Sequence, residues 1–237
     1  MPKLIDKLTL FFPTYNEEGN IETVVLKAGK VLEEVAGQWE IIIINDGSRD
    51  RTGEIAAKLS KSDKRVRVIT NSPNRGYGGA LQSGFYGAKY DWIVYNDSDG
   101  QFDFSEVVKF LEVKDQADLI LGYRIKRNDS FYRLVLAKGW ALCLFLSFGL
   151  KLRDVDCGFK MVNKRVLRKI PRLESERGGM INAELAIKAK EYGFKLKQVG
   201  VHHYPRRAGV ATGAQIRVII KSFSDLFNLW RKLRLGL

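Results

Sequence analysis

Asp91-Trp92-Ile93-Val94-Tyr95-Asn96-Asp97-Ser98-Asp99-Gly100-Gln101 is the stretch on which the fold turns. Residues 92–95 are an apolar and aromatic run of the length of a buried strand. The run breaks into a polar turn that carries Asp97 and Asp99. Two carboxylates one residue apart at a strand end repel each other unless something positive lies between them. A hard divalent cation, which takes oxygen ligands and shares them with substrate phosphates, answers that need. A polar turn whose aspartates cap the next helix is the plainer alternative.

The flanking chain repeats the pattern. Residues 8–12 form a short apolar run closed by Pro13, and residues 39–44 a run rich in β-branched side chains; both predict strands. Residues 66–70 and 117–122 predict two more. Between them, helical spacing of apolar residues predicts a helix over 21–35 with Asn20 as its cap, one from Thr52 through Leu59, one opening at 74–80 and running through Ala88, and one over 104–113. Strands that are apolar on both faces and alternate with helices call for an α/β fold with a mostly parallel, Rossmann-like sheet covered on both sides. Such sheets bind ligands beyond the carboxyl ends of their strands. The polar clusters at 14–17, 45–50 and 96–101 each follow a strand end, so they are expected to meet in one crevice.

Past Gly122 the texture changes. A basic loop, 124–128, precedes residues 134–150, which are apolar apart from Lys138 and Ser147. That run is short of the about 20 residues of a comfortable membrane span and suits a buried or interfacial helix. No element is read from residues 152–161, which hold Asp154, Asp156 and Cys157-Gly158-Phe159-Lys160. A helix around 183–192 and a strand around 195–204 follow. Residues 214–234 have a helical pattern with Ile216, Ile219, Ile220, Phe223, Phe227 and Trp230 on one face and Arg217, Lys221, Arg231, Lys232 and Arg234 as charges. Such a basic amphipathic helix suits either a membrane surface or its own domain.

The 237 residues carry a net charge of +13, unevenly spread. Residues 1–123 hold 15 Lys and Arg against 19 Asp and Glu, and residues 124–237 hold 25 against 8. An acidic half able to hold a cation is joined to a basic half that expects an anionic partner: nucleic acid, an anionic membrane surface or a phosphorylated substrate. Cys143 and Cys157 are the two cysteines, lie in apolar surroundings and read as reduced, buried thiols of a cytosolic setting. The N-terminal residues lack the apolar core and cleavage site of a signal peptide.

With a divalent ion at Asp97 and Asp99, the natural ligand is a diphosphate, whose developing charge the ion neutralises. Glu17 and Asp46, at neighbouring strand ends, suit hydrogen bonds from a base or ribose, and Tyr15 suits packing on a base face. No GxxxxGK[ST] loop occurs, and no GxGxxG opens the first helix. The glycines of Arg75-Gly76-Tyr77-Gly78-Gly79 let the helix they open approach the crevice closely.

Phe12-Pro13-Thr14-Tyr15-Asn16-Glu17, Asn45-Asp46-Gly47-Ser48-Arg49-Asp50, Asn74-Arg75-Gly76-Tyr77-Gly78 and Asp97-Ser98-Asp99-Gly100-Gln101 occur in an order and spacing that resembles the inverting family 2 glycosyltransferases of GT-A fold. The likeness is closer to polyprenyl- or dolichyl-phosphate sugar synthases. It continues through Gly122-Tyr123-Arg124, Asp156-Cys157-Gly158-Phe159, Arg206 and Gly209. The resemblance implies one GT-A domain over 1–237, with a nucleotide- and metal-binding half at 1–123 and an acceptor- and membrane-facing half at 124–237. It implies that Pro13, Tyr15, Glu17, Asp46, Arg75 and Asp97 hold the nucleotide sugar and that Asp97, Asp99 and Gln101 hold Mg²⁺ or Mn²⁺. Asp99, Arg124 and Arg206 would serve the reaction centre, and Arg133 and Lys138 the acceptor phosphate. The implied partners are a nucleotide-diphosphate sugar, a polyprenyl or dolichyl phosphate and an anionic membrane, met from the cytoplasmic face by a peripheral or monotopic protein without a transmembrane span. The loop after Arg124 is short and lacks the Gly-Gly frequent in mannosyl enzymes, and Ala137 stands where those enzymes tend to have Ser. GDP-mannose and UDP-glucose therefore both remain as donors.

Alternatives follow from single residues. Asp156 or Glu184 as a general base would point to a sugar hydroxyl as acceptor, in glycan or polysaccharide synthesis; structural roles are the competing assignment. His202 and His203, adjacent on a strand, point to opposite faces and suit packing or hydrogen bonding rather than one shared metal. Charge alone would suit a nucleic-acid-binding module, but no such motif occurs and long aliphatic runs interrupt the basic residues. A nucleotidyltransferase would need a glycine-rich basic loop after the first strand, where residues 14–19 are acidic.

Overall fold

The computed structural model describes residues 3–126, 131–206 and 216–235, with side chains from 136 onward in the fifth helix and from 223 onward in the last. The chain runs β1 (Ile5–Thr14), α1 (Ile21–Val35), β2 (Ala36–Asn45), α2 (Thr52–Ser62), β3 (Val66–Thr70), α3 (Gly76–Gly87), β4 (Trp92–Asn96), α4 (Val107–Leu111), β5 (Leu119–Arg124), α5 (Phe131–Phe148), β6 (Phe159–Asn163), α6 (Lys164–Lys169), α7 (Met180–Glu191), β7 (Leu196–Val201) and α8 (Ile216–Leu235). The strands form one sheet in the order β3-β2-β1-β4-β6-β5-β7. All neighbours are parallel except β6, which runs antiparallel to both β4 and β5.

Alternation along the strands feeds two cores. In β1, Leu10 and Phe12 face one side and Phe11 the other; in β2, Ile41 and Ile43 part from Ile42 and Ile44 in the same way. On one side α1 presses Ile21, Val25, Ala28 and Leu32 onto the sheet. On the other lie α3, α6 and α7, around a ring cluster in which Phe11, Phe85 and Tyr95 stand 5.2–5.7 Å apart. Edge-on and offset ring pairs of this kind add about 0.5–1.5 kcal/mol each beyond their buried area.

Several expectations are corrected. Residues 159–163, unassigned from sequence, form β6, the strand that turns the sheet from parallel to mixed. The helix expected over 104–113 is a 3-10 turn at Phe104–Glu106 followed by the short α4. Asn20 precedes α1 but makes no side-chain cap; its Nδ2 donates to Glu17 Oε2 at 2.7 Å instead. Cys143 is only partly buried, whereas Cys157 is fully buried; both are free thiols. In α8 the side chains that dock are Leu226 and Leu229, with Trp230 and Leu233 beside them, while Phe223 and Phe227 of the expected apolar face are exposed. In α5, likewise, Leu142, Phe145 and Leu146 are exposed and Leu144 and Phe148 are buried. Trp140 meets Phe223 edge-on at 5.1 Å, so the two helices touch. Among the described residues no helix is long and apolar enough to cross a membrane.

Candidate active site

The three strand-end loops do converge. Asp46 N donates to the Thr14 carbonyl at 2.9 Å, joining the ends of β2 and β1, and Ser98 Oγ donates to the Pro13 carbonyl at 2.8 Å, joining the loop after β4 to them. Asn16, with φ of 54°, accepts from Arg49 N on Oδ1 and donates its own N–H to Ser48 Oγ. Glu17 N donates to Thr52 Oγ1 at 2.8 Å. These bonds fix the loop after β1 against the start of α2.

Asp97 and Asp99 stand at the end of β4 in this crevice. Asp97 is recessed: Tyr77 Oη donates to its Oδ1 at 3.0 Å, and its Oδ2 lies so close to Gly158 that a Cβ there would fall 1.9 Å away. Only glycine fits that position. Burial first, and then the neighbouring Asp99 carboxylate, push Asp97 up to about 7, against the pull of the Tyr77 hydroxyl, Lys160 and Arg124. Asp99 accepts from Gln101 N at 3.0 Å on Oδ1 and faces Arg206 Nη1 across 3.6 Å on Oδ2. Arg206 Nη2 donates to Glu17 Oε1, so one guanidinium bridges two acids of the site. Burial raises Glu17, while the Asn20 hydrogen bond and Arg206 act in the opposite direction.

Asp97 and Asp99 offer hard oxygen donors and carry mutual repulsion. Among the described residues no group of three or more His, Cys, Asp or Glu side chains is arranged to hold a metal. Two carboxylates fit a divalent ion of the kind that takes one or two protein carboxylates and draws its other ligands from elsewhere.

Other expected residues have different placements. Asp46, 3% exposed, turns its carboxylate inward: Oδ1 accepts from Asn71 Nδ2 and Arg75 N, and Oδ2 from Gly76 N, which shapes the loop before α3. Arg75 reaches Glu176 at 2.7 Å and Gln82 at 3.2 Å. The close approach at Gly78 is made by residues 175–176, since a Cβ would meet the Ser175 carbonyl oxygen at 2.2 Å; it is another chain segment, not the crevice, that needs this glycine. Tyr15 is exposed. Gln101 donates Nε2 to the Tyr204 carbonyl at 3.0 Å and accepts Tyr204 N on its own carbonyl, which brings the segment carrying Arg206 over the site. Arg124 is held by Asp154 through two bonds, Nε–Oδ2 at 2.6 Å and Nη2–Oδ1 at 3.0 Å. Lys138 is exposed on α5, and the side chain of Arg133 lies outside the described residues. His202 bonds Glu106, and His203 packs on Phe102.

Of the two candidate bases, Glu184 is 2% exposed, pairs with Lys188 at 2.6 Å and accepts from the backbone N–H groups of Glu174 and Ser175. It is a strut for that loop. Asp156 lies against Gly179 at the start of α7. Missed from sequence are Tyr77, Asn182 and Lys160, which line up behind Asp97; the signal available was only a tyrosine among glycines and a lysine between apolar residues. Asn96 Nδ2, buried one residue before Asp97, has no hydrogen-bond partner among the described residues.

Comparison with known proteins places this geometry. Residues 9–171 match glycosyl transferase family 2. The chain is 30% identical over 223 residues to the dolichyl-phosphate beta-glucosyltransferase of Saccharomyces cerevisiae, with 82% of this chain and 66% of that protein covered, so it spans just under two thirds of that relative. It is 31% identical over 221 residues to the polyprenol monophosphomannose synthase of Mycolicibacterium smegmatis, covering 88% of this chain and 82% of that protein. A similar fold occurs in glucosyl-3-phosphoglycerate synthase from Mycobacterium tuberculosis, solved with Mn²⁺, UDP and glucosyl-3-phosphoglycerate, at a TM-score of 0.68 and 18% identity over 96% of this chain and 77% of that one.

Proposed function

We infer the activity from one premise: the chain belongs to glycosyl transferase family 2. We propose that it transfers a hexose from a nucleoside-diphosphate sugar to a polyprenyl or dolichyl phosphate at a membrane surface, with inversion and with a divalent ion. In this reading residues 1–123 hold the donor and the ion, and residues 124–237 hold the acceptor and meet the membrane. The observation that carries it is the junction of an acidic pair with a guanidinium: Arg206 stands 3.6 Å from Asp99 and is also bonded to Glu17.

An oxygen of the acceptor phosphate forms a bond to the anomeric carbon while the bond from that carbon to the donor diphosphate breaks, and the diphosphate leaves with the bonding pair. A phosphate monoester has a second pKa of about 6, so it attacks as an anion and no general base has to take a proton. The engagement of Glu184 with Lys188 and two backbone N–H groups removes one of the two candidate bases for a sugar hydroxyl acceptor, Asp156 being the other. The chain's own task is to bring two anions together. Asp97 and Asp99 would hold Mg²⁺ or Mn²⁺, which supplies charge neutralisation of the leaving diphosphate. Arg206 and Arg124 would seat phosphate oxygens; the bond pair to Asp154 keeps the Arg124 guanidinium in one orientation. Arg133 and Lys138 are assigned to the acceptor phosphate on family resemblance alone.

The exposed Leu142, Phe145 and Leu146 of α5 and Phe223 and Phe227 of α8, with Lys138 and Arg231 also exposed on these helices, support a face that rests on a bilayer; the cytoplasmic side is assigned on family resemblance alone. Both a glucosyl and a mannosyl enzyme stand among the relatives, which keeps glucose and mannose as the sugars to test first. The test is incubation with polyprenyl phosphate in vesicles, Mg²⁺ or Mn²⁺ and a panel of sugar nucleotides, with the product identified by mass. A glycosylated lipid phosphate is expected. Transfer only to a sugar hydroxyl, or transfer unaffected by chelator, would overturn the acceptor or the ion respectively.

A further inference from the structure

Behind Asp97 lies a buried lysine that the proposed reaction does not touch. Lys160, the second residue of β6, is 1% exposed and lies opposite Tyr95 of β4. Its Nζ donates to Tyr95 Oη at 3.0 Å, to Asn182 Oδ1 at 3.2 Å and to the Cys157 carbonyl. All three acceptors are neutral, and among the described residues no carboxylate is in ion-pair contact with it. An ammonium taken from water into such a place costs several kcal/mol, and an apolar side chain of the same length would fill the space without that cost. Packing alone therefore gives no reason for a charge here.

The direction of the hydrogen bonds gives one. Lys160 donates to Asn182 Oδ1, and Tyr95 Oη donates to the same oxygen. The Asn182 side chain lies beside Tyr77. Tyr77 Oη then donates to Asp97 Oδ1. Lys160 and Tyr95 both donate to Asn182 Oδ1 and so fix that side chain against Tyr77, whose hydroxyl is turned to the carboxylate. On the far side of Asp97 the Cα of Gly158 bears on Oδ2, and Asp97 N is tied to the Gly158 carbonyl at 3.0 Å. The carboxylate is thus gripped between the Tyr77 hydroxyl, backed by Asn182 and Lys160, and a glycine.

We propose that Lys160, Asn182 and Tyr77 are positioning residues that hold the Asp97 carboxylate in the orientation in which it receives the divalent ion. The proposal rests on the functional reading above, which supplies the ion. Partners that orient a metal-binding side chain change metal affinity by about 10–100-fold when removed, although they never touch the metal.

The experiment measures Mn²⁺ binding, by the electron paramagnetic resonance signal of free Mn²⁺, in the presence of UDP or GDP without any acceptor. Tyr77→Phe deletes one hydroxyl and leaves the ring; Lys160→Met deletes the charge and keeps the length. Both variants are expected to bind Mn²⁺ about 10–100-fold more weakly than wild type. In an Asp97→Asn background Tyr77→Phe is expected to add no further loss, because its action runs through that carboxylate. A change in melting temperature with Mn²⁺ affinity within about threefold of wild type, or losses that add in the double variant, would overturn the relay and leave only a structural role. If Lys160→Met does not fold, Tyr77→Phe alone decides the matter. Wild-type protein that binds no Mn²⁺ with either nucleotide would instead bring down the functional reading on which the relay depends.

Discussion

At the ends of β1, β2 and β4 the polar side chains are bonded across from loop to loop; on the outward sides of α5 and α8 the large apolar side chains stand exposed. The side chains of Glu17, Asp46, Asn71, Ser98 and Asp97 each have a partner in another segment. Leu142, Phe145, Leu146 and Phe227 are 49–73% exposed. The first region is held by its own chain before any ligand arrives, so ligand binding there costs little ordering. The second leaves large apolar side chains exposed, which is the surface the proposed membrane contact would use. The two regions should therefore fail differently when altered.

The largest effect is expected at the crevice. Asp99→Asn should reduce transfer by about 10³-fold, the equivalent of several kcal/mol of lost charge stabilisation, while the thermal melt stays that of wild type. Full turnover of this variant, in chelator, would break the assignment of the crevice. The next lies under α8: Leu229→Ala, at a docked position, should cost about 2–4 kcal/mol in denaturant unfolding. On the outward face Leu146→Asp should weaken partitioning onto anionic vesicles by about 1.5–3 kcal/mol and leave folding unchanged. Unchanged partitioning would make that face an ordinary surface.

A smaller effect separates the regions by pH. The folded value of Asp97, about 7, lies above its unfolded value, so the folded metal-free protein holds this proton more tightly than the unfolded chain. The group's contribution to stability is present at low pH and is lost as pH rises through 7. An incoming cation must displace the same proton, so Mn²⁺ affinity, titrated calorimetrically from pH 5.5 to 8, should rise by up to about tenfold per unit and level off above about 7. Vesicle binding through the α5–α8 face should not follow that curve. The smallest effect is Phe227→Ala, expected to alter unfolding stability by within about 0.5 kcal/mol, against the large loss at Leu229 two residues on. Equal losses at the two positions would erase the distinction between docked and outward sides.

How much was legible differs between these regions for a physical reason. Unbroken apolar runs in β1 and β2 told both the strands and the need for cover on two faces, and polar residues after each strand end told where the crevice would be. Asp97 and Asp99 were readable because unlike neighbours, an apolar strand and a doubly acidic turn, meet at one point in the chain. The strand β6 was not readable: Lys160 interrupts a five-residue run, and only its buried partners explain how a buried strand position accepts a lysine. In α8 the periodicity was real but incomplete, because Phe223 and Phe227 form one apolar stripe and Leu226, Leu229 and Leu233 another. A helix with two apolar stripes does not say by itself which one the protein covers.

The sequence by itself determined the strand and helix order through β5, the convergence of the polar strand ends, the acidic pair and the division into an acidic and a basic half, because these follow from local periodicity and from charge counted along the chain. Only the tertiary structure decided that Asp46 turns inward, that residues 175–176 lie against Gly78, that Arg206 reaches Glu17 and Asp99, and that Lys160 stands behind Asp97. Those are contacts between residues tens to hundreds of positions apart. Hydrogen bonds and close packing act over a few ångströms in space, and distance along the chain carries no trace of them.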